Sequence, residues 1–88
     1  MNIVFTETAW EQYTEWQNNK SDRTILRKIN DLIKDIQRNG LLKGIGKPEL
    51  LKHRKACSRR ITDEHRLVYN MDDNHNLIIY SCKGHYVE

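Results

Sequence analysis

Long hydrophobic runs are missing from this chain: the longest uninterrupted apolar stretch, Leu77-Ile78-Ile79-Tyr80, falls far short of the roughly 20 residues a membrane-spanning helix needs. The start, Met1-Asn2-Ile3-Val4-Phe5-Thr6-Glu7, lacks the charged opening, apolar stretch and small-residue cleavage site of a secretory signal. A cytoplasmic protein with no membrane segment is expected. Cysteine is scarce too. Cys57 and Cys82 are too distant for a CxxC redox motif, and an intracellular chain keeps them reduced. A zinc site from these two with His65 and His85 has no pair at close ligand spacing, so neither metal nor cofactor is expected. No repeats or low-complexity segments occur, and 88 residues allow one small domain, spanning 1–88, with little stability to spare.

What the chain does have is positive charge in one place. The net charge is +3, yet residues 1–40 are balanced and the whole excess lies beyond them. Between positions 43 and 60, Lys43, Lys47, Lys52, Arg54, Lys55, Arg59 and Arg60 face Glu49 alone. A field of that sign attracts phosphates or an acidic protein partner.

Periodicity supplies the elements. Ile3-Val4-Phe5 has the size of one strand. Thr8 and Glu11 have the spacing of a capping box, and Trp10, Tyr13 and Trp16 then run along one side of a helix that breaks at Asn18-Asn19-Lys20. Ser21 or Asp22 restarts a helix. Ile25, Ile29, Leu32, Ile33 and Ile36 make its apolar stripe, and Asn39-Gly40 stops it. Both stripes are expected to be core. The glycines and proline of 41–48 mark a loop, followed by strand-length segments at 49–52, 57–62, 65–71 and 76–83, with turns at Asp63-Glu64 and Asp72-Asp73-Asn74. This order implies an α+β fold: a short N-terminal strand and two helices packed on one face of a curved, mostly antiparallel sheet, the other face left free.

The charged and titratable residues fall on the strands and their edge loop. Metal-free cleavage of an RNA backbone needs a base for the 2′-hydroxyl, cations for the phosphate and an acid for the departing 5′-oxygen. Glu49, the one acid in the basic stretch, is the candidate base. Lys52, Arg60 and Arg66 are candidates to clamp phosphate, with Lys47 and Arg59 beside them. His85 is the candidate acid and Tyr86 a ring to stack on a base or support the proton transfer. Each has an ordinary alternative: Glu49 a loop carboxylate, Arg59 and Arg60 surface residues on opposite sides of a strand, His65 a satisfied strand histidine, and His85-Tyr86 a frayed tail.

The pattern Gly46-Lys47-Pro48-Glu49-x-Leu51-Lys52-His53, then Ser58-Arg59-Arg60-Ile61-Thr62-Asp63-Glu64-His65-Arg66-Leu67-Val68-Tyr69, then His85-Tyr86, resembles the YoeB toxins of the RelE superfamily. The resemblance extends through Trp10, Tyr13, Trp16-Gln17 and the segment from Lys28 to Asp35. It implies a RelE-like α+β fold and an endoribonuclease that cuts mRNA in the ribosomal A site. It also implies neutralisation by a YefM-type antitoxin. Carried over position by position, the general base falls on Glu49 and phosphate contacts on Lys52, Arg60 and Arg66. The general acid falls on His85, with Tyr86 beside it.

The chain departs from the pattern in having only Arg54-Lys55-Ala56-Cys57 before Ser58, and in continuing past the terminal tyrosine to Val87-Glu88. Two rivals to an enzyme stay open: a basic module that blocks translation by occupying RNA or the ribosome, and a co-repressor acting with its antitoxin. Oligomeric state is also open, a homodimer included.

Overall fold

A computed structural model describes residues 1–85; the expectations for Tyr86, Val87 and Glu88 lie outside the described residues. Strand β1 (Ile3–Phe5) leads into α1 (Glu7–Asn18) and α2 (Thr24–Asn39), followed by β2 (Glu49–Leu50), β3 (Cys57–Arg60), β4 (Arg66–Met71) and β5 (Leu77–Ser81). The sheet order is β1-β5-β4-β3-β2. Among the described residues only the β1–β5 pair is parallel; the two helices carry the chain from one edge of the sheet to the other before β2. No described helix is long and apolar enough to cross a membrane.

α2 behaves as its stripe dictates. Ile29, Leu32, Ile33 and Ile36 are buried against Cys57, Leu67, Tyr69, Leu77 and Ile79 on one sheet face. Each such aliphatic side chain contributes roughly 1.5–3 kcal/mol of burial. Asp22 does the capping: its carboxylate accepts from the Thr24 amide at 2.9 Å and hydroxyl at 2.6 Å, and these bonds hold its carboxyl below the usual range. At the other end Gly40, at φ 91°, adopts the left-handed conformation that stops the helix.

α1 differs from its expectation in two ways. The cap is Thr6, whose hydroxyl accepts from the Ala9 amide at 3.1 Å. The packed stripe is Ala9, Tyr13 and Trp16, spaced i, i+4, i+7; Trp10, 52% exposed, lies off it. Reading only the aromatics missed Ala9, which is small enough for the helix to sit directly on the sheet. Trp16 donates its indole N–H to the Cys82 carbonyl at 2.9 Å, and the Gln12 side chain accepts from the Cys82 amide at 2.7 Å, so α1 fixes the exit of β5.

The face away from the helices is partly covered. After β2, residues 51–56 fold back over it, and Leu51, Ala56 and Val68 form a small second core with Tyr80. The guanidinium of Arg54 lies 4.6 Å from the Tyr80 ring centre, and Asn70 donates to the Lys55 carbonyl at 3.0 Å. Beside this small core on the same face lie Arg60 and Arg66, partly exposed among the described residues.

Candidate active site on the open sheet face

Register assembles this site from residues far apart in sequence. Glu49 of β2 pairs with Ser58 of β3, and Arg60 of β3 pairs with Arg66 of β4. Side chains two apart on a strand share a face, so Glu49, Ser58, Arg60 and Arg66 all project away from the helices. Arg66 donates to the Glu49 carboxylate at 3.1 Å, with side chains 17% and 59% exposed.

Arg60 and Arg66 stand directly opposite on neighbouring strands, an arrangement that repels by up to about 1 kcal/mol. Nearby carboxylates offset part of this: Glu49 on Arg66, and Asp63 at 3.8 Å from Arg60. Two arginines on directly opposed strand positions, one paired with a carboxylate, are groups of the kind that bind an anion beside a proton acceptor.

The C-terminal segment closes one end. The Arg66 amide donates to the Gly84 carbonyl at 3.0 Å, and the Gly84 amide donates to Nδ1 of His65 at 2.8 Å. His65, just before β4, stands edge-on to Trp16 at 4.9 Å and holds the tail to the start of that strand. His85 follows, exposed, with Nε2 2.7 Å from the Asp63 carbonyl oxygen in the β3–β4 turn. Thr62 shapes that turn by accepting from the Glu64 and His65 amides, both at 3.1 Å. Lys47 and Lys52 are exposed on either side of β2, and Lys47 has a left-handed backbone at φ 51°. Glu49, Arg60 and Arg66 are thus brought together, while the ring of His85 is engaged by the turn beside them.

Arg59 requires a correction. It was expected among the phosphate-binding cations, yet it is fully buried on the helix side of the sheet. Its Nε donates to the Tyr69 hydroxyl at 2.9 Å. Its Nη1 donates to Asp35 and to the Ile45 carbonyl, and its Nη2 to the Gly40 and Lys43 carbonyls. These partners occupy all five N–H groups of a guanidinium, leaving none for phosphate. Alternation along β3 put Arg59 and Arg60 on opposite faces; the helices decide which face is covered.

The hydrogen bond from Arg59 holds the Asp35 carboxyl below its usual range, supported by the Ile45 amide and Asn39. A depressed folded-state value means the stabilisation is complete above the unfolded value of about 3.9 and is lost as pH falls from there through the lower folded value. Asp35→Asn should therefore be less stable than wild type at neutral pH, with the gap narrowing below about pH 4. Urea midpoints across that range test this, and a constant gap would contradict it. Burial pushes the Cys82 thiol up to about 12 and raises that of Cys57, which makes both poor nucleophiles at neutral pH.

Comparison with known proteins agrees with this fold. A family model described as "YoeB-like toxin of bacterial type II toxin-antitoxin system" matches residues 5–86. The toxin YoeB of Escherichia coli K12 is 47% identical over 88 residues, covering 98% of this chain and 100% of that protein. A YoeB dimer from Staphylococcus aureus superposes with a TM-score of 0.86 at 51% identity, covering 98% of both chains. A heterotetrameric YoeB–YefM toxin–antitoxin complex from the same organism contains a chain matching with TM-score 0.85, 51% identity and 98% coverage of both.

Proposed function

The chain belongs to the YoeB-like toxins of bacterial type II toxin–antitoxin systems, and from that membership we propose that it is a ribosome-dependent mRNA interferase, cutting message in the ribosomal A site and so stopping translation. The observation that carries this reading is the hydrogen-bonded Glu49–Arg66 pair beside Arg60 on an open sheet face. A surface that only occluded the ribosome would need positive charge and no carboxylate set into it.

In this reading Glu49 takes the proton from the 2′-hydroxyl, and the oxygen attacks the adjacent phosphorus. Arg66 and Arg60 hold the non-bridging oxygens as charge develops, and Lys47 and Lys52 steer the flanking backbone. His85 gives a proton to the departing 5′-oxygen, with Tyr86 supporting that transfer or stacking on a base. The products are a cyclic phosphate and a free 5′-hydroxyl. All of this is acid–base and electrostatic chemistry of side chains.

The charged groups of the site are partly exposed, which gives the ribosome its part. Cations on an open face bind phosphate, but in-line alignment of the 2′-oxygen with its leaving group requires the strand to be held bent. Message in the A site should therefore be cut far faster than naked RNA. Equal rates on free and translated message, read by primer extension, would overturn the ribosome-dependent reading.

The protein's own partner is a YefM-type antitoxin, as in the staphylococcal complexes that resemble it. An acidic segment that folds along the basic face would cover Arg60, Arg66 and His85. Hydrogen exchange on the complex should show protection of their amides, whereas protection confined to α1 and α2 would place neutralisation elsewhere. A homodimer is a second association, as the staphylococcal dimer suggests.

A further inference from the structure

We propose that Arg59 is a positioning residue: from the covered face of the sheet, its guanidinium holds residues 40–46 in the path that delivers Glu49 to Arg66 on the open face. This deepens the reading of Glu49 as the base and rests on it.

The path is short and tightly determined. Residues 40–46 run along the helix side, and the chain then crosses the sheet edge to reach β2. On the helix side Arg59 takes the carbonyls of Gly40, Lys43 and Ile45, while the Tyr69 hydroxyl donates to the Leu41 carbonyl at 2.6 Å and accepts from Arg59 Nε. At the crossing the Arg60 amide donates to the Gly46 carbonyl at 2.7 Å. Neighbouring residues of β3 thus hold this segment, Arg59 by its side chain from the covered face and Arg60 by its backbone amide at the sheet edge.

Close packing shows how little play remains. A Cβ added at Gly46 would lie 2.6 Å from Leu32 and 3.2 Å from the Cβ of Arg59. One added at Gly44 would sit on the Asp35 carboxylate. Gly46 has φ 83° and Lys47 φ 51°, so consecutive left-handed residues swing the chain round the edge. β2 itself is only two residues long and exposed at both, too short to fix its own place. The position of Glu49 therefore depends on what holds the chain on either side of it, Leu51 in the second core after it and residues 40–46 before it. A buried arginine is a costly way to fill space, and an apolar residue of similar volume would pack Leu32 and Tyr69 as well. What the apolar residue would lose is the hold on three carbonyls of the 40–46 segment, those of Gly40, Lys43 and Ile45, and on Asp35.

Two variants test the proposal, Tyr69→Phe and Arg59→Lys. The first removes one oxygen and with it the tether to Leu41 and the acceptor for Arg59 Nε. The second keeps the charge but cannot supply the five-donor fork. In the free protein, amide exchange over residues 44–50 should rise about tenfold or more in Tyr69→Phe while β3 to β5 keep their protection. The Nε–H resonance of Arg66 should shift as its pairing with Glu49 loosens. On ribosomes, kcat should fall about tenfold with KM nearly unchanged, and further in Arg59→Lys. A purely structural role would lower the melting temperature with exchange raised throughout and kcat per folded molecule unchanged, which would overturn the proposal. Failure of Tyr69→Phe to fold would overturn it too, because the network would then be holding the core. If the wild-type protein does not cut ribosome-bound message, the functional reading falls, and the exchange and Arg66 measurements still decide whether Arg59 positions Glu49.

Discussion

Arg66→Ala should leave the fold intact and slow cleavage of ribosome-bound message by about a hundredfold or more, a loss on the order of 3 kcal/mol in the transition state. The residue lies on the open face with no share in the main core, so truncation opens no cavity there. Removing it also relieves the repulsion with Arg60, so the melting temperature should hold or rise slightly. The kinetic loss has two sources. Phosphate loses a fork that tightens as charge builds, and Glu49 loses the donor 3.1 Å away that orients its carboxylate. Primer extension on translating ribosomes, with a melting curve on the same sample, measures both. Cleavage at the wild-type rate would remove Arg66 from the mechanism.

Deleting His85 to Glu88 should abolish cleavage with nearly unchanged thermal stability. Gly84 stays, and its amide and carbonyl make the bonds that hold the tail to His65 and Arg66. His85 is exposed, and its one described polar contact is to the Asp63 carbonyl, so its loss costs little. The deletion removes no lysine or arginine, so binding to ribosomes should persist. Binding without cleavage would support His85 and Tyr86 as the proton-transfer end of the site. A truncated protein that still cuts message would show that assignment to be wrong, and one that arrests growth without cutting would favour occlusion over catalysis.

The spacing of Ile25, Ile29, Leu32, Ile33 and Ile36 determined α2 and its buried side without reference to the rest of the chain, because a helix repeats locally. The same holds for the stop at Gly40, the glycine-rich loop before β2 and the alternation that separates Arg59 from Arg60. The family pattern implies that Glu49, Arg60, Arg66 and His85 share one site, with no reference to geometry. Tertiary structure decided the remainder. Glu49 and Arg66 are 17 positions apart, and their hydrogen bond exists only because two antiparallel registers, β2 on β3 and β3 on β4, bring them to one face. Ala9, not Trp10, joins the packed stripe of α1 because helix side chains are buried by what packs against them, and here a sheet came close enough to need alanine. Arg59 is the clearest case. Its charge, its place in the basic run and its neighbour Arg60 all pointed to phosphate, since sequence conveys alternation but not which face the helices cover. Once α1 and α2 occupy one side, that guanidinium is enclosed among carbonyls, a tyrosine hydroxyl and Asp35 and binds the protein's own loop.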